Sequence, residues 1–267
     1  MKYRLAAFAD EASFSLDGQI TAMQKNGIGL LEIRGVDGEN IGELSVEKAH
    51  DIRHRLDDSG ISVWSLGSPY GKINIGDDFE AHLDSFKRKL ETADILNAHH
   101  IRLFSFYGAA EIDEVLPKLE KFIDAAKGTG IVLCHENEKG IFGDTADKCL
   151  ELHKALPGLK AVFDPANFIQ CGQDTVKAWE LLSPYVEYMH IKDALPDGSV
   201  VPAGKGAGNI SHLLERYKGE VLTVEPHLSV FSGFDKLEKE KHSGFCYSDS
   251  WEAFDAAVNA LKELIGE

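Results

Sequence analysis

The chain has only four cysteines in 267 residues, and they show neither a CxxC pair nor the spacing of a disulfide framework. That excludes a disulfide-stapled scaffold. Cys134, Cys149, Cys171 and Cys246 read instead as reduced, mostly buried thiols of a cytosolic protein. Basic residues are scarce beside acidic ones, 28 Lys and Arg against 44 Asp and Glu, a formal charge of −16. A surface of that sign repels nucleic acid and anionic membranes, so neither is expected as a partner. No run approaches the roughly 18 apolar residues of a membrane span. Two positive charges precede a short apolar run at the N-terminus, but Asp10-Glu11 ends that run too early for the core of a leader peptide. The expectation is a cytoplasmic protein. No GxGxxG follows the first strand-like run and no break in composition marks a second domain, which disfavours an open dinucleotide-binding sheet.

What is present is a regular alternation. With 43% hydrophobic residues the chain can bury a full core. A strand-like run from Tyr3 to Ala9 leads into a helix after Ser15, with Leu16, Ile20 and Met23 on one face and Asn26-Gly27 as its stop. Gly29–Arg34 is followed by a helix capped by Ser45, and Ile61–Leu66 by one in which Phe79, Leu83, Phe86, Leu90 and Ala93 form an apolar stripe. Ile101–Phe106 precedes a helix marked by Ile112, Val115, Leu119, Phe122 and Ala126. Four more steps follow. Their strands are Ile131–His135, Leu159–Phe163, Val186–Ile191 and Glu220–Val224, and their helices are Ala146–Leu156, Val176–Leu182, Ile210–Tyr217 and Trp251–Ile265. Eight β-α steps in about 250 residues predict an α/β fold, a single (β/α)8 TIM barrel spanning residues 1–267. The charge run Lys236–His242 falls in a long loop after strand eight and reads as a solvated face or lid.

The last four strands each end in a side chain able to bind a metal: Glu136, Asp164, His190 and Glu225. Taken singly, such a residue reads as a helix cap or an ion-pair partner. Four on consecutive strands of a closed barrel converge at the carboxyl end, where barrel active sites form. Three carboxylates and one imidazole suit one divalent ion, manganese, magnesium, cobalt or zinc.

These segments, Leu133-Cys-His-Glu-Asn137, Phe163-Asp-Pro-Ala-Asn167, His190-Ile-Lys-Asp193 and Val224-Glu-Pro-His227, resemble the signature segments of the xylose isomerase-like barrel superfamily. That superfamily holds sugar phosphate isomerases and epimerases, inosose dehydratases and endonuclease IV-type repair enzymes. The resemblance spans nearly the whole chain and implies that Glu136, Asp164, His190 and Glu225 are the metal ligands. Many members place His three residues after the strand-six Asp, where this chain has Asn167. The histidines that a trinuclear zinc cluster needs on strands three and four are also missing, so a DNA repair activity is not expected.

The expected chemistry is proton transfer beside the carbonyl of a sugar or sugar phosphate. The metal would act as Lewis acid and stabilise an ene-diolate, while Glu136 and Glu225 would remove and return the proton from opposite faces. Delivery to the opposite face epimerises, delivery to the next carbon isomerises, and loss of a β-hydroxyl dehydrates. An inosose-type dehydratase is the alternative; a repair nuclease and a non-catalytic sugar-binding barrel are further rivals. Lys192, His227, Asn167, Trp64 and Tyr107 are candidate substrate contacts, the aromatics by stacking on a sugar face. Glu11, Arg34 and Lys72 lie near strand ends as well, and backbone N–H groups of Gly204–Gly208 could cradle a phosphate. Look-alikes form dimers and tetramers, so self-association stays open.

Overall fold

The eight apolar runs pair as parallel strands of a sheet that closes on itself. The computed structural model describes residues 2–229 and 247–267. The barrel strands are β1 (Arg4–Ala7), β2 (Leu30–Ile33), β3 (Ser62–Gly67), β4 (His100–Leu103), β5 (Val132–Glu136), β6 (Lys160–Phe163), β7 (Val186–Ile191) and β8 (Val221–Val224). They follow chain order around the ring, and β8 closes on β1 with Val221 opposite Arg4. The connecting helices are α1 (Leu16–Lys25), α2 (Val46–Asp58), α3 (Phe79–Ile95), α4 (Ile112–Ala126), α5 (Ala146–Ala155), α6 (Thr175–Leu182), α7 (Ile210–Arg216) and α8 (Ser250–Ile265). Ser15 and Ser45 cap α1 and α2 through their hydroxyls, which accept from Gly18 and Lys48 N–H. The charge run 236–242 and Cys246 lie outside the described residues. Cys134 and Cys149 are buried thiols, and Cys171 is half-buried.

The period-two alternation of each strand divides its residues between two apolar bodies. Leu31, Ile33, Leu133, Phe163, Met189, Leu222 and Val224 face the helices, packing with Leu56, Phe86, Leu152 and Leu261. Burying each such side chain contributes about 1.5–3 kcal/mol before chain entropy is counted. Ala6, Leu30, Cys134, Val162, Tyr188 and Val221 point the other way and fill the barrel interior. The next inward position on β2, β4, β5, β6 and β8 is no longer apolar. There the alternation delivers Glu32, Arg102, Glu136, Asp164 and Thr223, all buried.

Two β-bulges adjust this interior. Register shifts between Leu31 and Glu32 leave Trp64 as the extra residue of β3, and a second shift between Ala161 and Val162 leaves Glu187 extra on β7. The two extra residues meet through His100, which stacks on Trp64 at 4.1 Å and lies 3.2 Å from Glu187 Oε1. Trp64 therefore sits beside the first residue of β4, at the amino end of the barrel.

Candidate metal centre

Glu136, Asp164, His190 and Glu225 each offer one ligand atom, and these atoms all lie within 4.8 Å of one another at the carboxyl ends of β5 to β8. All four residues are buried. Asn137 locks the first two together: its side chain accepts from Asp164 N–H and donates to Asp164 carbonyl oxygen, both at 2.9 Å. Asp164 then does two jobs with one carboxylate. Its Oδ1 accepts from Asn167 N–H at 2.9 Å and caps a short helix, Pro165–Gln170. Its Oδ2 accepts no hydrogen bond, nor does Glu225 Oε2, although both are buried. Lys192 Nζ lies 3.3 Å from each of these two oxygens.

Buried carboxylate oxygens without hydrogen-bond donors are costly, and a cation relieves them. The electrostatics point the same way. Burial, the largest influence, raises Asp164 to about 7 despite Lys192 beside it, because Glu225 and Glu136 add negative charge. Burial also opposes ionisation of Glu136, but His190 and Arg102 outweigh it and hold that carboxyl at about 2. Glu225, likewise desolvated, is pulled well below the usual range by Lys192 and His227. His190 is buried, which favours the neutral ring, yet Glu136 and Glu32 push its pKa well up. The cluster thus presses three buried carboxylates together, with Asp164 resisting ionisation beside the other two, and its donor set suits a divalent ion.

Strands one to four supply residues that sequence reasoning either missed or left ambiguous. Arg102 Nη1 donates to Glu136 Oε2 at 2.8 Å, and its guanidinium stacks over Phe104 at 4.6 Å. Arg34 forks onto Asp10 at 2.9 and 3.1 Å, reaches Glu11 at 3.0 Å and stands 3.5 Å from Glu225 Oε1. Both guanidinium groups lie over the Phe8 ring, Arg34 at 4.6 Å and Arg102 at 5.5 Å, and that ring meets His190 edge-on at 5.1 Å. A charged residue at an inward position of an otherwise apolar strand, as in Leu30-Leu-Glu-Ile33 and His100-Ile-Arg-Leu103, was the available signal for Glu32 and Arg102.

The candidate substrate contacts divide. Lys192 lies inside the cluster, beside Asp164 and Glu225. His227 sits at the mouth with its side chain 25% exposed, Nε2 3.1 Å from Glu11 and 3.3 Å from Glu225. Asn167 is buried behind the carboxylates, donating to Glu136 Oε1 at 3.3 Å. Tyr107, in the loop after β4, bridges the loops above β3 and β5, pairing its backbone with Asn74 and Ile141, and Lys72 reaches Glu138 at 3.0 Å nearby. Trp64 is a correction: the bulge places its ring in the amino end of the interior, away from the cluster. The Gly204–Gly208 loop is another. The N–H groups of Gly204, Gly206 and Gly208 all donate to the Asp193 carboxylate at 2.8–3.0 Å, so they hold the chain's own anion.

A closed eight-stranded barrel with a buried carboxylate–histidine cluster at its carboxyl rim defines the class of protein. The family follows from a sequence comparison: residues 20–264 match the xylose isomerase-like TIM barrel model, and the chain belongs to that family. A 3-dehydroshikimate dehydratase of Bacillus anthracis is 20% identical over 200 residues, 72% of this chain and 68% of that protein. Among solved structures, the IOLI protein with a bound zinc atom superposes with a TM-score of 0.77 at 18% identity, covering 98% of each chain. A D-psicose 3-epimerase determined with D-fructose gives 0.72 at 19%, covering 99% of this chain and 100% of that one. At such identities the structural likeness establishes the fold. No described helix is long and apolar enough to cross a membrane.

Proposed function

We propose that this chain is a divalent-metal-dependent enzyme that removes a proton from the carbon next to a carbonyl of a small polyhydroxylated substrate, as a sugar or sugar-phosphate epimerase or isomerase. One observation carries the reading: Glu136, Asp164, His190 and Glu225 bring ligand atoms within 4.8 Å of one another, and Asp164 and Glu225 each carry a buried oxygen that accepts no hydrogen bond. Glu136, Asp164, His190 and Glu225 would hold the ion. When bound, it supplies Lewis-acid polarisation of the substrate's oxygens.

The protein's own groups divide the remaining work. Glu136 and Glu225 come from strands three places apart, so a substrate between them meets one carboxylate on each face. They differ in surroundings. Glu136 is fixed by Arg102 and Asn167 deep in the barrel, whereas Glu225 touches His227 at the mouth. Glu225 therefore has the shorter route for exchanging a proton with solvent. Lys192, 3.3 Å from Asp164 and Glu225, can hold a substrate oxygen as negative charge develops there.

A dehydratase is the second reading, favoured by the curated dehydratase relative and by the cations Lys192 and Arg34 beside Glu225. It shares the first proton abstraction and adds loss of a hydroxyl, to which Lys192 or His227 could give a proton. Metal analysis of the purified protein by mass spectrometry tests the shared part. About one divalent ion per chain is expected, lost in Asp164→Ala and Glu225→Gln; no uptake after reconstitution with manganese, cobalt or zinc sinks the reading. Incubation in heavy water with ketoses and with 3-dehydroshikimate separates the branches. Deuterium in an epimerised or isomerised sugar supports the first, and a conjugated, ultraviolet-absorbing product the second.

A further inference from the structure

Behind the His190 ring lies a buried carboxylate that belongs neither to the four ligands nor to the mouth. Glu32 is fully buried, two residues before Arg34 on β2, on the side of the ring away from Glu136. Its Oε2 lies 3.1 Å from His190 Nε2 and accepts from Thr223 Oγ1 at 3.0 Å, while its Oε1 accepts from Tyr188 O–H at 2.8 Å. Since the Tyr188 hydrogen goes to Glu32, the Ser65 hydroxyl 3.1 Å away donates to the Tyr188 oxygen. Four strands thus contribute to one satisfied network.

We propose that Glu32 is a positioning residue that fixes the ring plane and tautomer of His190 for metal binding. Both ring nitrogens face carboxylates, which only accept, Nδ1 on the cluster side and Nε2 on the Glu32 side; when Nδ1 gives its lone pair to an ion, the one hydrogen of the neutral ring must sit on Nε2, toward Glu32. That leaves Nδ1, the nitrogen 3.0 Å from Glu136 Oε1 and 3.5 Å from Glu225 Oε2, with a lone pair directed into the ligand cluster. The negative charge behind the ring raises its donor strength, as carboxylate partners of metal-bound imidazoles do. Tyr188 and Thr223 hold Glu32 in turn, and the edge of His190 against Phe8 removes the remaining freedom of the ring.

This inference rests on the metal reading above, and one titration separates the two. Cobalt(II) is added to metal-free protein and followed by calorimetry and by its visible absorption. Wild-type protein that takes up no cobalt overturns both. With normal wild-type uptake, Glu32→Gln is expected to lose affinity about 10- to 100-fold while keeping the wild-type circular dichroism. Glu32→Asp, which keeps the charge one methylene further from the ring, should recover part of that loss. Thr223→Val removes one donor from the same carboxylate without touching the imidazole; it should lose less cobalt affinity than Glu32→Gln, and an equal loss would overturn the special role of the Glu32 charge. Wild-type affinity and cobalt spectrum in the folded Glu32 variants would leave Glu32 a purely structural residue and overturn the proposal. Should Glu32→Gln not fold, the Asp variant decides alone: reduced affinity upholds it and unchanged affinity overturns it.

Discussion

The two halves of the barrel do different work on one site. Strands β5 to β8 end in the candidate ligands, each at the carboxyl terminus of its strand. Strands β1 to β4 provide none of those four. They provide Glu32 against His190, Arg102 against Glu136, Arg34 against Glu225 and Phe8 beneath the two guanidinium groups. The ligand half gathers negative charge and the supporting half answers part of it. The cluster persists in a buried setting because three cations, Arg102, Arg34 and Lys192, stand where charge would otherwise be uncompensated.

Removing one of those cations should give the largest effect. Arg102→Leu leaves Glu136 ionised, buried and short of its arginine partner, a change that costs about 3–5 kcal/mol when a buried ion pair loses one member. A bound divalent ion would restore part of the missing charge. Saturating cobalt should therefore raise the melting temperature of Arg102→Leu by more than it raises that of wild type. If calorimetry shows the variant melting with wild type in the absence of metal, the division of labour between the halves is wrong.

The ligand half was legible because its chemistry coincides with its motifs. Glu136, Asp164, His190 and Glu225 each stand where an apolar run stops, and a run that stops at a polar residue is visible in one dimension. The barrel was legible for a related reason, since eight cycles of strand and helix leave few alternatives to closure. The supporting half was not. Glu32 and Arg102 lie inside apolar runs, and whether such a residue points at a helix or into the barrel depends on a register that only neighbouring strands define. The bulge at Trp64 shows this most clearly: one extra residue turned a presumed rim aromatic into a plug at the far end. The Gly-rich loop misled for another reason. Its backbone donors do form an anion cradle, and the anion is the side chain of Asp193.

That cradle permits an intermediate test within the ligand half. A Cβ at Gly206 would lie 2.3 Å from Asp193 Oδ1 and 2.4 Å from Ala194 carbonyl oxygen, closer than real Cβ atoms come. Gly206→Ala must displace backbone or break the cradle, and overpacking of this kind costs about 1–3 kcal/mol. A lower denaturant midpoint with unchanged metal content is the expected result. Loss of metal as well would mean that the loop after β7 helps to set Lys192 and His190, and the ligand half would then depend on more than its strand ends.

Trp64→Phe should produce the smallest effect, and it probes the opposite end of the barrel. The indole stacks on His100, meets Tyr188 at 5.8 Å and leaves its buried Nε1 without an acceptor. A phenyl ring keeps most of the apolar contact and removes the unsatisfied donor, so the volume lost and the desolvation regained oppose each other. The net cost should stay within about 1 kcal/mol, with kcat and KM unchanged once a substrate is in hand. Had the ring stacked on a sugar, the same substitution would raise KM at constant stability. A selective rise in KM would return Trp64 to the site and undo the register assigned to β3; a small stability change with flat kinetics would leave substrate contact to the carboxyl rim alone.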